Sequence, residues 1–308
     1  MERNTLEKKL ILVYFEQMKI YDYIIHLPNK IFYPFLVKDK KIYKNFQKNG
    51  YHHFHDDADN IKLCRYVEEN IDIKKVNELI NLNKNRNPKV YSINISKILD
   101  QEVRITLNNF FNNSDKMNLT SSMLGYKTKF RKVSVLVNFF NANTKQNEGA
   151  KMFHRDSDSL QDQVKIFMLV NNISNNCGMF YFVPNCYLSK DYKLPFEKDR
   201  INMVLSNRWR NKDSTLNNFL DIKNNDNQIK KLKGTQGEAL FIDTGKVYHK
   251  GGFVSEKNNY RILIQSVYTP MFSLSNWNNN NNKILRYIQQ KLTTLRIKLR
   301  KTTSKKHI

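Results

Sequence analysis

KGTQGEALFIDTGKVYHKGG (residues 233–252), followed after a polar link by YRILIQSVYTP (260–270), decides how this chain folds. Two short apolar, β-rich runs are separated by turn formers: Asp243, Gly245, Gly251, Gly252 and an Asn pair. Runs of this length and composition between such punctuation read as strands, not helices. Upstream, the texture repeats in KVSVLVNFF (132–140), QVKIFMLVNNI (163–173) and MFYFVP (179–184). Several short strands with turn signals between them predict a β-sandwich or jelly roll.

On either side of that region the pattern changes. Residues 1–125 read as mostly helical: Leu6, Leu10, Val13, Tyr14 and Met18 fall at helical spacing, and 61–82 and 95–112 carry weaker helical patterns. The β-rich core is assigned to 126–275. It is interrupted at 190–232 by an insertion rich in Asn, Lys and Asp, long enough to serve as a lid or binding loop. After the Asn run 278–282, the residues Leu285, Ile288, Leu292, Leu295 and Leu299 stripe one face of a basic helical tail, 276–308. The expected class is therefore α+β, with N-terminal helices packed on a β core and an amphipathic helix at the end.

Composition narrows the function. The 308 residues carry 52 Lys+Arg against 28 Asp+Glu, a formal net charge of +24, of which 283–308 supply nine basic residues and no acid. Such a balance points to an anionic partner, although heavy use of Lys, Asn and Ile throughout accounts for part of it. The tail's Leu stripe is expected to pack on the barrel or the N-terminal helices, with dimerisation and contact with nucleic acid or an anionic membrane surface as the alternatives. Nine Gly and six Pro exclude collagen-like and low-complexity classes. Three Cys make no disulfide framework and no spaced zinc pattern, which suits a reducing compartment. No apolar run approaches the roughly 20 residues needed to span a bilayer, and the N-terminus has no signal-peptide pattern. A cytoplasmic location is expected.

The sharpest chemical feature is FHRD, 153–156. On an extended strand residues i and i+2 point the same way, so His154 and Asp156 could reach one metal. His249, just after the GEALFID run, is the candidate third ligand. Two imidazoles and one carboxylate on one side of an ion, with the other positions open, suit non-haem Fe(II). Arg261, twelve residues on, opens the next strand and could grip a carboxylate with its planar fork. A second His-x-Asp occurs in HHFHDD, 52–57. With no strand context or distal His–Arg pair, His52, His53 and His55 read as surface or cleft rim, outside the β-rich region.

In order, FHRDSD (153–158), QVKIFMLVNNI, CGMFYFVPNCYLS (177–189), KGTQGEALFIDTGKVYHKGG and YRILIQSVYTP resemble the phytanoyl-CoA dioxygenase-like branch of the Fe(II)/2-oxoglutarate-dependent oxygenases, over roughly residues 130–270. The resemblance implies a double-stranded β-helix, the cupin-like jelly roll. It makes His154, Asp156 and His249 the iron ligands and catalytic centre. Arg261 would hold the distal carboxylate of 2-oxoglutarate, with Asn138 near the same co-substrate. It also implies the activity: O2 and 2-oxoglutarate consumed, succinate and CO2 released, and a C–H bond of a small, anionic organic substrate hydroxylated. Because Asp156 is a carboxylate where related halogenases have a small residue, hydroxylation is favoured over halogenation. The chain departs from the branch at Gly178-Met179, where Gly-Pro is frequent, and at Pro184-Asn185-Cys186-Tyr187, where Pro-Gly-Ser-His is frequent. Rival readings are a nucleic-acid-directed oxygenase and a non-catalytic barrel that binds an anionic partner through its basic tail.

Other residues have milder expectations. Asp243 either orients a ligand or simply forms the turn before Gly245. Lys250 is expected to point outward. Arg200, Arg208, Trp209 and Arg210 lie in the insertion and read as incidental residues of a solvated Asn-rich loop, with the grip of a charged or ring-bearing ligand as the alternative. Cys177 and Cys186 read as incidental thiols.

Overall fold

A computed structural model describes residues 37, 39–144, 151, 153–154, 156, 163–174, 176–184, 210–211, 228–232, 234–257 and 259–271. The helix expected at the N-terminus, most of the expected insertion and the basic tail lie outside these residues, as do Arg200, Arg208, Trp209 and Cys186.

Among the described residues, five helices precede most of the strands: α1 (Lys40–Asn49), α2 (Ala58–Glu69), α3 (Ile73–Arg86), α4 (Gln101–Phe111) and α5 (Ser114–Leu124). Their ends follow the sequence. Asp39, Asp57, Asp72 and Asn113 each accept backbone N–H bonds at a helix start, relieving donors that have no partner within the helix. The helical pattern over 61–82 is therefore two helices, because Asp72 caps a new start.

The strands are β1 (Tyr51–Phe54), β2 (Ser92–Asn94), β3 (Thr128–Phe139), β4 (Phe153–His154), β5 (Val164–Leu169), β6 (Phe180–Val183), β7 (Arg210–Asn211), β8 (Lys230–Leu232), β9 (Ala239–Ile242), β10 (Tyr248–Gly251) and β11 (Tyr260–Pro270). They form a six-stranded sheet, β1-β9-β5-β11-β3-β2, and a five-stranded sheet, β7-β4-β10-β6-β8. The antiparallel pairs β3·β11, β4·β10, β5·β9 and β6·β8 are nested like one long hairpin folded over. That nesting, with successive partners alternating between two sheets, is the double-stranded β-helix.

Two strands come from the part read as helical. β1 pairs with β9 and β2 with β3, so both edges of the larger sheet are supplied from before residue 125. The HHFHDD segment, expected outside the β-rich region, thus begins on an edge strand.

Period-two alternation divides the core. Ile166, Met168, Phe241, Ile262 and Ile264 face the helices and pack with Val103, Leu107 and Phe111. Phe167, Leu169, Leu240, Ile242 and Leu263 face the other way, into the space between the sheets, with Phe180 and Phe182. One sheet thus buries both faces, which explains the near-continuous apolar runs of β5 and β9. Among the described residues no helix is long and apolar enough to cross a membrane.

Candidate metal centre

β4 ends on His154, and the ladder sets it directly opposite His249 of β10. Both imidazoles are buried, with ring centres 4.5 Å apart. Two residues past His154, the Asp156 N–H donates to the Thr244 carbonyl at 2.8 Å, which ties the β4–β5 connection to the β9–β10 turn. Asp156 Oδ1 then lies 3.9 Å from His154 Nε2 and 3.8 Å from His249 Nε2. One donor atom from each of the three residues falls within 4.8 Å of the others.

The surroundings orient these donors. His249 Nδ1 lies 3.0 Å from the Val247 carbonyl, a contact that places the proton on Nδ1 and leaves the Nε2 lone pair facing Asp156. Phe180 stacks on the same ring, 5.6 Å away between centres. Lys165, on the inward face of β5, reaches Asp156 Oδ2 at 2.5 Å, leaving Oδ1 to the histidines. Burial alone would raise the Asp156 carboxyl. The charges of His249 and Lys165, with hydrogen bonds from Lys165 and Thr244, outweigh burial and hold it well below the usual carboxylate range. An ionised carboxylate and two imidazoles with converging lone pairs fit a divalent transition metal, non-haem iron among them.

Arg261 begins the inward face of β11 and is buried. Its Nη1 donates to the Gly178 carbonyl. Its Nε has no hydrogen-bond partner among the described residues. Burial lowers its pKa to about 10, with opposing contributions from Tyr181, Tyr91 and Cys177, so it is a cation at neutral pH. A buried guanidinium with an unused donor, and no acidic side chain paired with it among the described residues, fits the carboxylate of an organic acid such as 2-oxoglutarate. Asn138 is directly opposite Arg261 in the β3·β11 ladder and is also buried.

Other expectations resolve individually. Asp243 forms the turn: its Oδ1 accepts from the Gly245 N–H at 3.1 Å and its Oδ2 pairs with Lys246 at 3.1 Å. Lys250 does face away from the triad, but it is not solvent-exposed; it is buried over the rings of Phe153 and Tyr181, at 4.7 and 5.1 Å. Cys177 is a buried free thiol. Lys165 escaped the sequence reading, although a single cation inside the apolar QVKIFMLV run was a usable signal. So did Lys151, which is buried with its ammonium over Tyr91 and Phe253, at 4.7 and 5.0 Å.

No protein-family model and no curated protein matches the sequence. Among solved structures, the non-haem α-ketoglutarate-dependent epimerase SnoN from nogalamycin biosynthesis is 13% identical, covering 75% of this chain and 82% of its own, at a TM-score of 0.44. HygX from Streptomyces hygroscopicus, solved with nickel, 2-oxoglutarate and hygromycin B, is 10% identical over 76% and 88%, at 0.44. EctD from S. alaskensis, solved as the apoform and with bound Fe, is 13% identical over 75% and 77% for the apoform, at 0.41. At these TM-scores the likeness carries no inference of its own, and the reading of the site rests on its geometry.

Proposed function

We propose that this chain is an Fe(II)- and 2-oxoglutarate-dependent dioxygenase that hydroxylates an unactivated C–H bond of a small, anionic organic substrate. One observation carries the reading. His154, Asp156 and His249 converge inside the barrel on which a buried Arg261 retains an unused donor. Bound iron and 2-oxoglutarate would supply the oxidation of the substrate by O2.

The protein's own residues would do the rest. His154 Nε2, Asp156 Oδ1 and His249 Nε2 would hold the metal on one side and leave its other positions to 2-oxoglutarate and O2. Lys165 would keep Asp156 Oδ2 occupied and Oδ1 ionised. The Val247 carbonyl would keep the His249 proton on Nδ1. Arg261 would take the distal carboxylate of 2-oxoglutarate, with Asn138 beside it. Phe180, Phe182 and Leu263 line the interior with apolar surface that keeps water from the reacting centre.

The test is turnover. Protein supplied with Fe(II), 2-oxoglutarate and O2 should release succinate, and the rate should rise with one or more members of a panel of small organic acids that gain an oxygen atom. Asp156→Ala and His249→Ala should reduce succinate to the protein-free background. Succinate release that persists in both variants would refute the assignment.

A further inference from the structure

His53, His55 and Glu238 form a second group of two imidazoles and a carboxylate whose donor atoms lie within 4.8 Å of one another. On β1, Tyr51 packs against Phe182 between the sheets, while Phe54 meets Phe241 on the helical side. Alternation therefore puts His53 with Tyr51, on the inward face. Its ladder partner is Leu240, which also faces inward, and Glu238 is two residues before Leu240 on the same face. His55 follows at i+2, its ring centre 3.9 Å from that of His53.

Two of the donor separations match those of ligands sharing an ion. Glu238 Oε2 is 3.5 Å from His53 Nε2, and Oε1 is 3.4 Å from His55 Nδ1. Two donors each about 2.1 Å from a tetrahedral ion stand about 3.4 Å apart. Protein partners satisfy the group only in part: His55 Nδ1 and Glu238 Oε1 are within hydrogen-bond distance, but His53 Nε2 and Glu238 Oε2 are both buried without a hydrogen bond among the described residues. The carboxylate is seated closely, since a Cβ on Gly234 would collide with it, 2.6 Å from its carbon. Just past His55 the chain turns through Asp56 at φ 54°, in the left-handed region. His55 is 57% exposed, which leaves a route in from solvent. His52 points to the other face, against Phe54, and takes no part.

We propose that His53, His55 and Glu238 bind a divalent transition metal of the zinc class, separate from the His154–Asp156–His249 triad. Imidazole and carboxylate donors in this ratio suit zinc, with water completing the shell. The two groups sit at opposite ends of β9. Glu238 precedes the strand, and Thr244, bonded to Asp156, follows it, about 15–20 Å along at 3.3 Å per residue. The ion would clamp the edge strand β1 to the start of β9. This inference does not depend on the proposed oxygenase activity.

The experiment is equilibrium dialysis of the chelator-stripped full chain against ZnCl2. A His154→Ala/His249→Ala background removes the first group. That variant should bind one zinc and melt several degrees higher with it. Adding Glu238→Gln or His53→Ala should abolish both effects, whereas His52→Ala should change neither. No bound zinc in the background variant with native circular dichroism would overturn the proposal, and so would equal binding after Glu238→Gln. If the background variant does not fold, wild type is used. Glu238→Gln should then remove one of two bound equivalents, and an unchanged count would overturn the proposal.

Discussion

Asp156 shows how much rests on one side chain. Its two oxygens have different partners: Oδ1 faces both histidines and Oδ2 faces Lys165. Lys165→Met keeps most of the side-chain length and removes the cation. Freed from Lys165, the carboxylate can rotate and rebind its proton more readily. Metal affinity should fall about 10- to 100-fold, the usual cost of losing a group that orients a ligand. Titration of Mn(II) by the signal of the free ion reads this directly; unchanged affinity would remove Lys165 from the account. Arg261→Lys tests the other pole. Lysine keeps the charge but not the fork, so KM for 2-oxoglutarate should rise by tenfold or more, with a smaller change in kcat. Steady-state kinetics in 2-oxoglutarate separates the two. At this scale the grouping of His154, Asp156 and His249 was readable from the His-x-Asp spacing and from the short strand that carries the second histidine, although Asp156 lies just beyond β4 and not on it. Lys165 was passed over: a lone cation in an apolar run was a local signal, but its partner, nine residues away, was not marked by anything local. Glu238 was not legible, because it lies 183 positions from His55 and only the fold joins them.

At the scale of elements, the turns before β6 and β11 are pressed together backbone to backbone. Gly178 has φ 75°, and a Cβ there would come within 2.9 Å of the Gly252 carbonyl oxygen. A Cβ on Gly252 would run into the backbone of Met179 and Gly178. Neither obstacle is a flexible side chain that could move aside. Gly252→Ala should therefore destabilise the protein by at least the 1–3 kcal/mol or so typical of overpacking, measured by urea unfolding. Because Arg261 donates to Gly178, the same variant should also weaken 2-oxoglutarate binding. A loss below 0.5 kcal/mol, by about the scale of ordinary surface changes, would contradict the packing. The long strands β3, β5 and β11 were legible from their apolar runs. The edge strands β1 and β2 were not. Four and three residues are too short to display a period, and the YHHF composition of β1 looks polar. Only pairing with β9 makes it a strand.

The whole described body shares one sheet between two cores. Residues of α2, α4 and α5 pack with β3, β5, β9 and β11 in a single apolar cluster, and Tyr268 of β11 donates to the Phe111 carbonyl of α4 at 2.6 Å. Removing the helices would expose one face of that sheet. Helices and barrel should therefore unfold together, so far-UV circular dichroism and near-UV tyrosine signals should give one coincident thermal transition. Two separated transitions would mean that the helical part folds on its own. The α+β class and jelly-roll core were readable from strand punctuation and the order of the motifs. The closing of the sheet by N-terminal strands was not, since it depends on long-range pairing that no local pattern encodes.

The central claim is that one site holds both a metal and 2-oxoglutarate. Thermal unfolding with Mn(II), a redox-stable substitute for Fe(II), measures this most directly when run with and without 2-oxoglutarate. The prediction is a rise in melting temperature that needs both ligands together, since each completes the other's site. That joint increment should vanish in His249→Ala and in Arg261→Ala while both variants remain folded. A folded wild-type protein with no joint increment, or variants that retain it, would contradict the account.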